Sequence, residues 1–359
     1  MPGLPHLGLL VCGAGVFGRN HLRVYRALED GGAPIRLAAI VEPDLVRAGA
    51  AATEWGVPVF SSVQECLVAR SEGQLAFGAA SVSTPTSTHF EVANALLAAG
   101  VDVLVEKPIA TSVGEATRLI DLAAQHKCIL QTGHLERFNP GVIATLPILN
   151  HPMFFEAHRL SIFSPRSLDV DVVLDLMVHD LDIVLSLVQS PVHSLHAVGL
   201  PILSRKVDIA NVRIEFESGC VANFTASRVS TEKVRKLRFF QPHQYVSIDY
   251  ARQDLLIIDV SRAAHADAAH AYAATIAAAA SAAAPGFPGL HIEKPEVKPG
   301  EPLRLEIESF LNCVRTRSAP RVSGEDGRAV LALALDINAA LAEHAERAGL
   351  HRFMDSPTP

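Results

Sequence analysis

Three groups of residues carry side chains suited to moving a proton or holding an anion. Lys107 stands in Val105-Glu106-Lys107-Pro108, at the end of an apolar strand pattern over 101–105. Proline restrains the residue before it to extended backbone, so Lys107 is aimed rather than mobile. A lysine held this way can stabilise negative charge on an oxygen and relay a proton; the alternative is a solvated loop lysine. In the second group Asp175, His179, Asp182 and Ser186 are separated by four, three and four residues, so they share one stripe of a helix expected over 172–188. The rest of that helix is almost entirely apolar, including Leu174, Leu176, Met177, Val178 and Leu181, so the polar stripe must face a partner, a ligand or a cavity. A carboxylate one turn from an imidazole orients it and raises its basicity, which suits His179 to general-base work; the bland alternative is a satisfied structural pair. The third group lies in Gln131-Thr132-Gly133-His134-Leu135-Glu136-Arg137-Phe138-Asn139-Pro140. There Arg137 can grip a phosphate or carboxylate bidentately, while Asn139 can hydrogen-bond a sugar or amide, or simply cap the following helix.

The elements that must position these groups are legible upstream. Leu9-Leu10-Val11-Cys12 runs into Gly13-Ala14-Gly15-Val16-Phe17-Gly18 and then into a helical pattern from Asn20. In that strand–turn–helix context Gly13 permits the tight turn, Gly15 lets a pyrophosphate approach the backbone, and Gly18 lets helix and strand pack closely. Val16 and Phe17 open the helix, whose N-terminus offers N–H groups and partial positive charge to phosphates. A second strand pattern over 36–41 ends in Glu42, where the ribose-binding acid of a dinucleotide site is expected. Glu42-Pro43-Asp44 contains no Arg or Lys, so a 2′-phosphate would meet like charge and NAD is expected over NADP.

Strand patterns over 76–83, 101–105 and 129–132 alternate with helical ones over 90–99 and 115–125, which specifies a parallel sheet covered on both faces. From about His134 the character changes. Long β-type runs over 154–161, 210–216, 221–227, 234–240, 245–249 and 255–260 follow with few helices between them, the pattern of one large, mostly antiparallel sheet. The expected fold class is α/β: an N-terminal Rossmann dinucleotide-binding domain over 1–133, then a C-terminal α+β domain over 134–359 with a large, mostly antiparallel open sheet, closed by a helix over 327–347. Residues 263–284 are Ala-dominated and read as a surface insertion.

With 359 residues and a net charge of −7, the chain is long enough for two domains and lacks the basic footprint of a nucleic-acid binder. Five scattered cysteines with no Cys-x-x-Cys read as reduced thiols of a cytoplasmic protein. None of the sixteen histidines forms His-x-x-x-His or a His/Cys cluster, so no metal site is expected. No membrane span is expected either, since His265, Asp267 and His270 interrupt the Ala-rich stretch.

Taken in order, Gly13 to Gly18, Thr84-Pro85 with His89, Glu106-Lys107-Pro108, Asp175 with His179, and the segments 302–310 and 322–328 resemble the Gfo/Idh/MocA family of oxidoreductases across nearly the whole chain. The resemblance implies NAD(P)-linked oxidation of a sugar or polyol hydroxyl, and an open sheet that mediates a homodimer or homotetramer. It implies a cofactor, NAD, held by Gly13, Gly15, Val16, Phe17, Gly18, Glu42, Thr84, Pro85, His89, Glu106 and Lys107. By match of motif Lys107 takes the family's catalytic lysine role and His179 that of the base, with Asp175 beside it. Arg137, Asn139 and Arg166 then join Lys107 and His179 as substrate contacts.

One departure stands out: where many members carry a glycine run, this chain has Asp169-Val170-Asp171-Val172-Val173-Leu174. Within the family, segments 133–140 and 175–182 resemble members that oxidise the 3-hydroxyl of UDP-N-acetylglucosamine. Those members feed a pyridoxal-phosphate-dependent aminotransferase that makes the 3-amino sugar of lipid A. Two other readings stay open, a dehydrogenase of a free sugar, inositol or other polyol, and a non-catalytic dinucleotide-binding regulator. Retention of Lys107, Asp175 and His179 argues against the regulator, which has no need of an acid–base pair. An anionic nucleotide sugar needs cations, and Arg159, Arg166, Arg228, Lys233 and Arg235 are basic side chains of the second half that can supply them.

Overall fold

A computed structural model describes residues 6–163, 170–259 and 291–350. Arg166 and the Ala-rich stretch 263–284 lie outside the described residues. The chain divides into two compact units, Met1–Phe138 with Gly300–Leu333, and Asn139–Pro299 with Ala334–Pro359.

In the first unit the apolar runs form β1 (Leu7–Cys12), β2 (Ile35–Val41), β3 (Val59–Phe60), β4 (Ala79–Val82), β5 (Asp102–Glu106) and β6 (Leu130–Gly133). Strands β4, β5 and β6 are buried along their whole length, so both faces of the sheet need cover. Every pairing is parallel, in the order β3-β2-β1-β4-β5-β6. That order reverses between β1 and β4, and ligands of open α/β sheets bind outside the carboxyl ends at such a point. Helices start where the sequence can cap them: Ser62 and Ser112 accept the N–H of Glu65 and Glu115, whose carboxylates reach back to Ser61 and Thr111.

The helix Pro302–Thr316 also belongs to this unit. The expected boundary at 133/134 placed it with the second domain. Its apolar stripe, Leu303, Ile307, Phe310 and Val314, instead shares one core with Leu9, Leu22, Tyr25 and Ile40.

The second unit holds an eight-stranded sheet of β7 (Phe154–Ile162), β8 (Val192–Leu200), β9 (Ile209–Phe216), β10 (Val221–Ser230), β11 (Val234–Gln241), β12 (Gln244–Asp249), β13 (Asp254–Asp259) and β14 (His291–Glu293). Its order is β14-β13-β12-β11-β7-β10-β9-β8. Among these strands β7 and β10 pair in parallel and the other neighbours are antiparallel, as a mostly antiparallel sheet requires. Alternation sets the faces: Ala210, Val212, Ile214 and Phe216 of β9 are buried while Asn211 and Arg213 are exposed. Strands β8 and β14 had no counterpart in the sequence reading. Both are edge strands with little burial, so neither carries a strong period-2 pattern. Among the described residues no helix is long and apolar enough to cross a membrane.

Candidate active site

After β1 the chain turns at Gly13 with φ +95°, where a Cβ would stand 2.7 Å from the Ser83 carbonyl oxygen. Gly18 packs so closely that a Cβ would overlap the Gly13 carbonyl oxygen. Gly15, the N-cap of helix Val16–Asp30, has no side-chain cap and nothing within 4 Å of its Cβ position. The first N–H groups of that helix are therefore left for an external anion. A cavity of about 610 Å³ opens here, lined by Gly13, Gly15, Glu42, Arg47, Thr84 and Pro85 among others. Together these features fit a bound dinucleotide phosphate. Val16 is exposed, whereas Phe17 packs against the core of the first unit, edge-on to the His21 ring.

Glu42 directly follows β2 and is almost wholly buried. Its Oε2 accepts the Ala14 N–H at 2.9 Å, and its Oε1 accepts the Asp44 N–H at 3.0 Å and the Arg47 guanidinium at 2.9 Å. Burial alone would raise this carboxyl, but Arg47 and the two backbone donors outweigh it and hold the pKa below the usual carboxylate range. Glu42-Pro43-Asp44 itself contains no Arg or Lys, but the fold brings the Arg47 cation to Glu42, so the expectation that a 2′-phosphate meets only like charge here is corrected. Asp44 caps helix Leu45–Trp55, and the first turn of that helix brings Arg47 back to Glu42.

Two residues expected to touch the cofactor turn inward instead. His89 is buried, with Nε2 2.8 Å from the Thr84 carbonyl oxygen and Nδ1 2.8 Å from that of Pro108. The ring thus ties the loop lining the cavity to the segment carrying Lys107. Burial lowers the His89 pKa, and a neutral ring donates to one of the two carbonyls at a time. Glu106 lies 2.9 Å from His21 Nε2, and Ser81 links that ring to the Tyr25 hydroxyl. Lys107 follows at the carboxyl end of β5, half-buried, with a cis bond to Pro108.

In the second unit the expected helix over 172–188 is present but begins with a π turn, Val173–Met177, ahead of the regular helix Val178–Val188. Asp175 lies in the π turn and His179 just beyond it, both half-buried. His179, Asp182 and Ser186 lie within the regular helix, and Asp175 precedes His179 by four residues, inside the π turn. Ser186 donates to the Ile183 carbonyl of its own helix, and Asp182 is fully buried. Asp180, not singled out from sequence, pairs with Arg159 at 2.7 and 3.0 Å, both side chains 3 % exposed.

Arg228 is buried likewise, 3.3 Å from the Asp208 carboxylate and donating to the Val170 and Val207 carbonyls. Arg159 and Arg228 are therefore internal braces, which corrects their candidacy for a diphosphate; Lys233 and Arg235 are exposed. Asn139 uses both ends of its amide on backbone, accepting from Gly141 N and donating to the Tyr250 carbonyl, so the structure employs it as a helix cap. Back in the first unit, Arg137 lies 3.5 Å from Asp326. Arg321, which the sequence reading passed over, stacks on Phe138; burial and the neighbouring Arg137 charge lower its pKa.

A six-stranded parallel sheet with a glycine turn and a cavity at its switch point, joined in one chain to a large mostly antiparallel sheet, defines a Rossmann oxidoreductase with a second, sheet-based unit. Residues 7–134 match the Gfo/Idh/MocA oxidoreductase family with its NAD-binding Rossmann fold, and residues 151–241 match the family's C-terminal domain. The UDP-N-acetylglucosamine 3-dehydrogenase of Acidithiobacillus ferrooxidans is 34% identical over 343 residues, 95% of this chain and 99% of that protein. The solved structure of this enzyme superposes with a TM-score of 0.82 at 33% identity, again over 95% of this chain and 99% of that one. An inositol 2-dehydrogenase of Gluconacetobacter diazotrophicus is 31% identical over 186 residues, 49% of this chain and 53% of its own length. The chain belongs to the Gfo/Idh/MocA oxidoreductase family, and it is an NAD-binding dehydrogenase of the sugar and polyol class.

Proposed function

We propose that this protein oxidises the 3-hydroxyl of UDP-N-acetylglucosamine to a 3-keto sugar, with NAD preferred as the acceptor. The observation that carries the reading is identity to a UDP-N-acetylglucosamine 3-dehydrogenase over 95% of this chain, against 49% for the inositol 2-dehydrogenase. Bound NAD supplies the hydride-acceptor chemistry, and the protein supplies orientation and charge. Glu42 presents a carboxylate to the ribose, while Gly15 and the helix it caps receive the pyrophosphate. His179 takes the hydroxyl proton, oriented by Asp175, and Lys107 stabilises the negative charge that develops on the oxygen. Arg137 supplies a guanidinium for the substrate diphosphate, with Arg321 close enough to share it.

Oxidising a secondary alcohol with NAD is unfavourable, so a pyridoxal-phosphate-dependent aminotransferase that consumes the ketone is the expected partner. Its product is a 3-amino sugar of the kind used for lipid A, made in the cytoplasm, and the dehydrogenase itself forms a homodimer or homotetramer. The test is NADH formation with a panel of UDP-sugars, free sugars and inositols, with and without such an aminotransferase. Activity with UDP-N-acetylglucosamine, increased by the aminotransferase, is expected. Activity confined to inositol or free glucose would overturn the substrate while leaving a dehydrogenase.

A further inference from the structure

His21 lies in the second turn of helix Val16–Asp30, wholly buried, and its two ring nitrogens reach different strands. Nε2 is 2.9 Å from Glu106 Oε1 at the end of β5, and Nδ1 is 3.2 Å from Ser81 Oγ of β4. The Tyr25 hydroxyl stands 2.7 Å from the same Ser81 oxygen. An ionised carboxylate only accepts, so Nε2 carries the proton directed at Glu106. Burial raises the Tyr25 pKa and keeps its hydroxyl protonated. Tyr25 can then donate to Ser81, and Ser81 to Nδ1, so one arrangement of protons satisfies the whole chain. A buried network satisfied in this way rigidifies its members.

Glu106 is confined on its other side as well. Its backbone pairs with Gly133 of β6, where a Cβ would stand 2.8 Å from the carboxylate carbon. The carboxylate therefore occupies space that only a glycine at this strand position leaves open. Lys107 follows directly, and beyond it the Pro108 carbonyl oxygen lies 2.8 Å from His89 Nδ1. Two buried imidazoles thus bracket Lys107, His21 through the preceding side chain and His89 through the following carbonyl.

We propose that His21 is a positioning residue for the dehydrogenase reaction, holding the Glu106 carboxylate over Gly133 so that the end of β5 presents the Lys107 ammonium at a fixed place. The inference rests on the reading of Lys107 as the group that stabilises charge on the reacting oxygen. His21 has no exposed surface, so it acts through Glu106 and not on the substrate. A charge stabiliser works by standing in place before charge develops, and a displacement of about 1 Å at such a group costs up to about 100-fold in rate.

His21→Asn and His21→Gln separate the two ring contacts. Counted in bonds from Cα, the Asn amide reaches the place of Nδ1 and the Gln amide that of Nε2. Asn therefore keeps the Ser81 contact, and Gln keeps the one to Glu106. The kcat should fall about tenfold to a hundredfold in His21→Asn, and His21→Gln should recover most of that loss. Calorimetry should find the NAD dissociation constant unchanged in both. Gly133→Ala displaces the same carboxylate from the other side with His21 in place, and it decides alone if His21→Asn does not fold. It should lower kcat by a similar factor and add nothing in a Lys107→Met background followed by single turnover, because both changes act on one group. A merely structural role would lower stability and affect Asn and Gln alike. Equal losses of kcat in those two variants, or full kcat in Gly133→Ala, overturn the proposal. Lys107→Met that keeps more than about a tenth of wild-type kcat overturns the reading of the lysine, and this inference with it.

Discussion

In the first unit Glu42 and His89 are buried beside the carboxyl ends of parallel strands, and they organise backbone around a cavity. Glu42 gathers the N–H groups of Ala14 and Asp44, and His89 spans the carbonyls of Thr84 and Pro108. In the second unit the buried charges brace one element to another. Asp180 of the helix holds Arg159 of β7, and Asp208 holds Arg228 of β10 while collecting the N–H groups of Ile202, Leu203 and Ser204. Topology explains the contrast. Parallel strands bring all their carboxyl ends and following loops to one edge, whereas an antiparallel sheet divides its loops between both ends.

The largest effect that could break this contrast lies with the residues assigned to chemistry. Lys107→Met and His179→Asn should each lower kcat by roughly 100- to 10,000-fold while the protein stays folded and still binds NAD. A variant retaining more than a tenth of wild-type kcat would leave less than about 1.4 kcal/mol of barrier at stake, too little for an acid–base group. Next come the braces of the second unit. Asp208→Asn and Arg159→Leu each leave a buried charge without its partner and should destabilise by about 3–5 kcal/mol, read as a fall in the denaturant midpoint. Loss of turnover at unchanged stability would instead make these residues functional and dissolve the contrast.

Acid sensitivity separates the units further. His89 has a folded pKa below its unfolded value, so its contribution is full above about pH 6.5 and is lost as pH falls through the folded pKa. For Asp208, burial acts to raise the carboxyl pKa, but Ser204 and the surrounding N–H groups outweigh it and depress the value. Its contribution is therefore full above about pH 4 and is lost only at lower pH. Stability measured against pH should lose its upper acid limb in His89→Gln and its lower limb in Asp208→Asn. An identical pH profile for wild type and His89→Gln would refute the His89 half of this prediction. The smallest expected effect concerns Asn139→Ala, which should cost about 1 kcal/mol as a lost helix cap and leave KM for the sugar near wild type. A KM raised tenfold would return Asn139 to the substrate.

Much of the first unit was legible because its signals are contiguous. Strand β1, the glycine turn and the helix after it occupy neighbouring positions, so their spacing predicts a tight strand–turn–helix connection, and Gly13 and Gly18 pack as closely as it requires. In the second unit, β9, β10 and β11 were legible from alternation, while the edge strands β8 and β14 were not. Segment 302–310 was read only as part of the family resemblance; that it belongs to a helix whose apolar stripe packs on the first core was not, because the residues that bury it lie far back in sequence. The polar spacing from Asp175 to Ser186 was legible, whereas the π turn over Val173–Met177 that carries Asp175 was not. Burial divides the group: Asp182 is fully buried while Asp175 and His179 are half-buried.

The chemistry-bearing residue types, their order along the chain and the periods of the elements carrying them are properties of the sequence by itself. They determined a parallel dinucleotide-binding sheet, a second antiparallel sheet, and Lys107 at the end of β5. Which polar groups remain available to a ligand was decided by tertiary structure alone. Arg47 reaches Glu42, His89 is claimed by two carbonyls, and Arg159 is buried against Asp180. The physical reason is that a buried polar group must find partners, and those partners are set by long-range packing that no local spacing encodes.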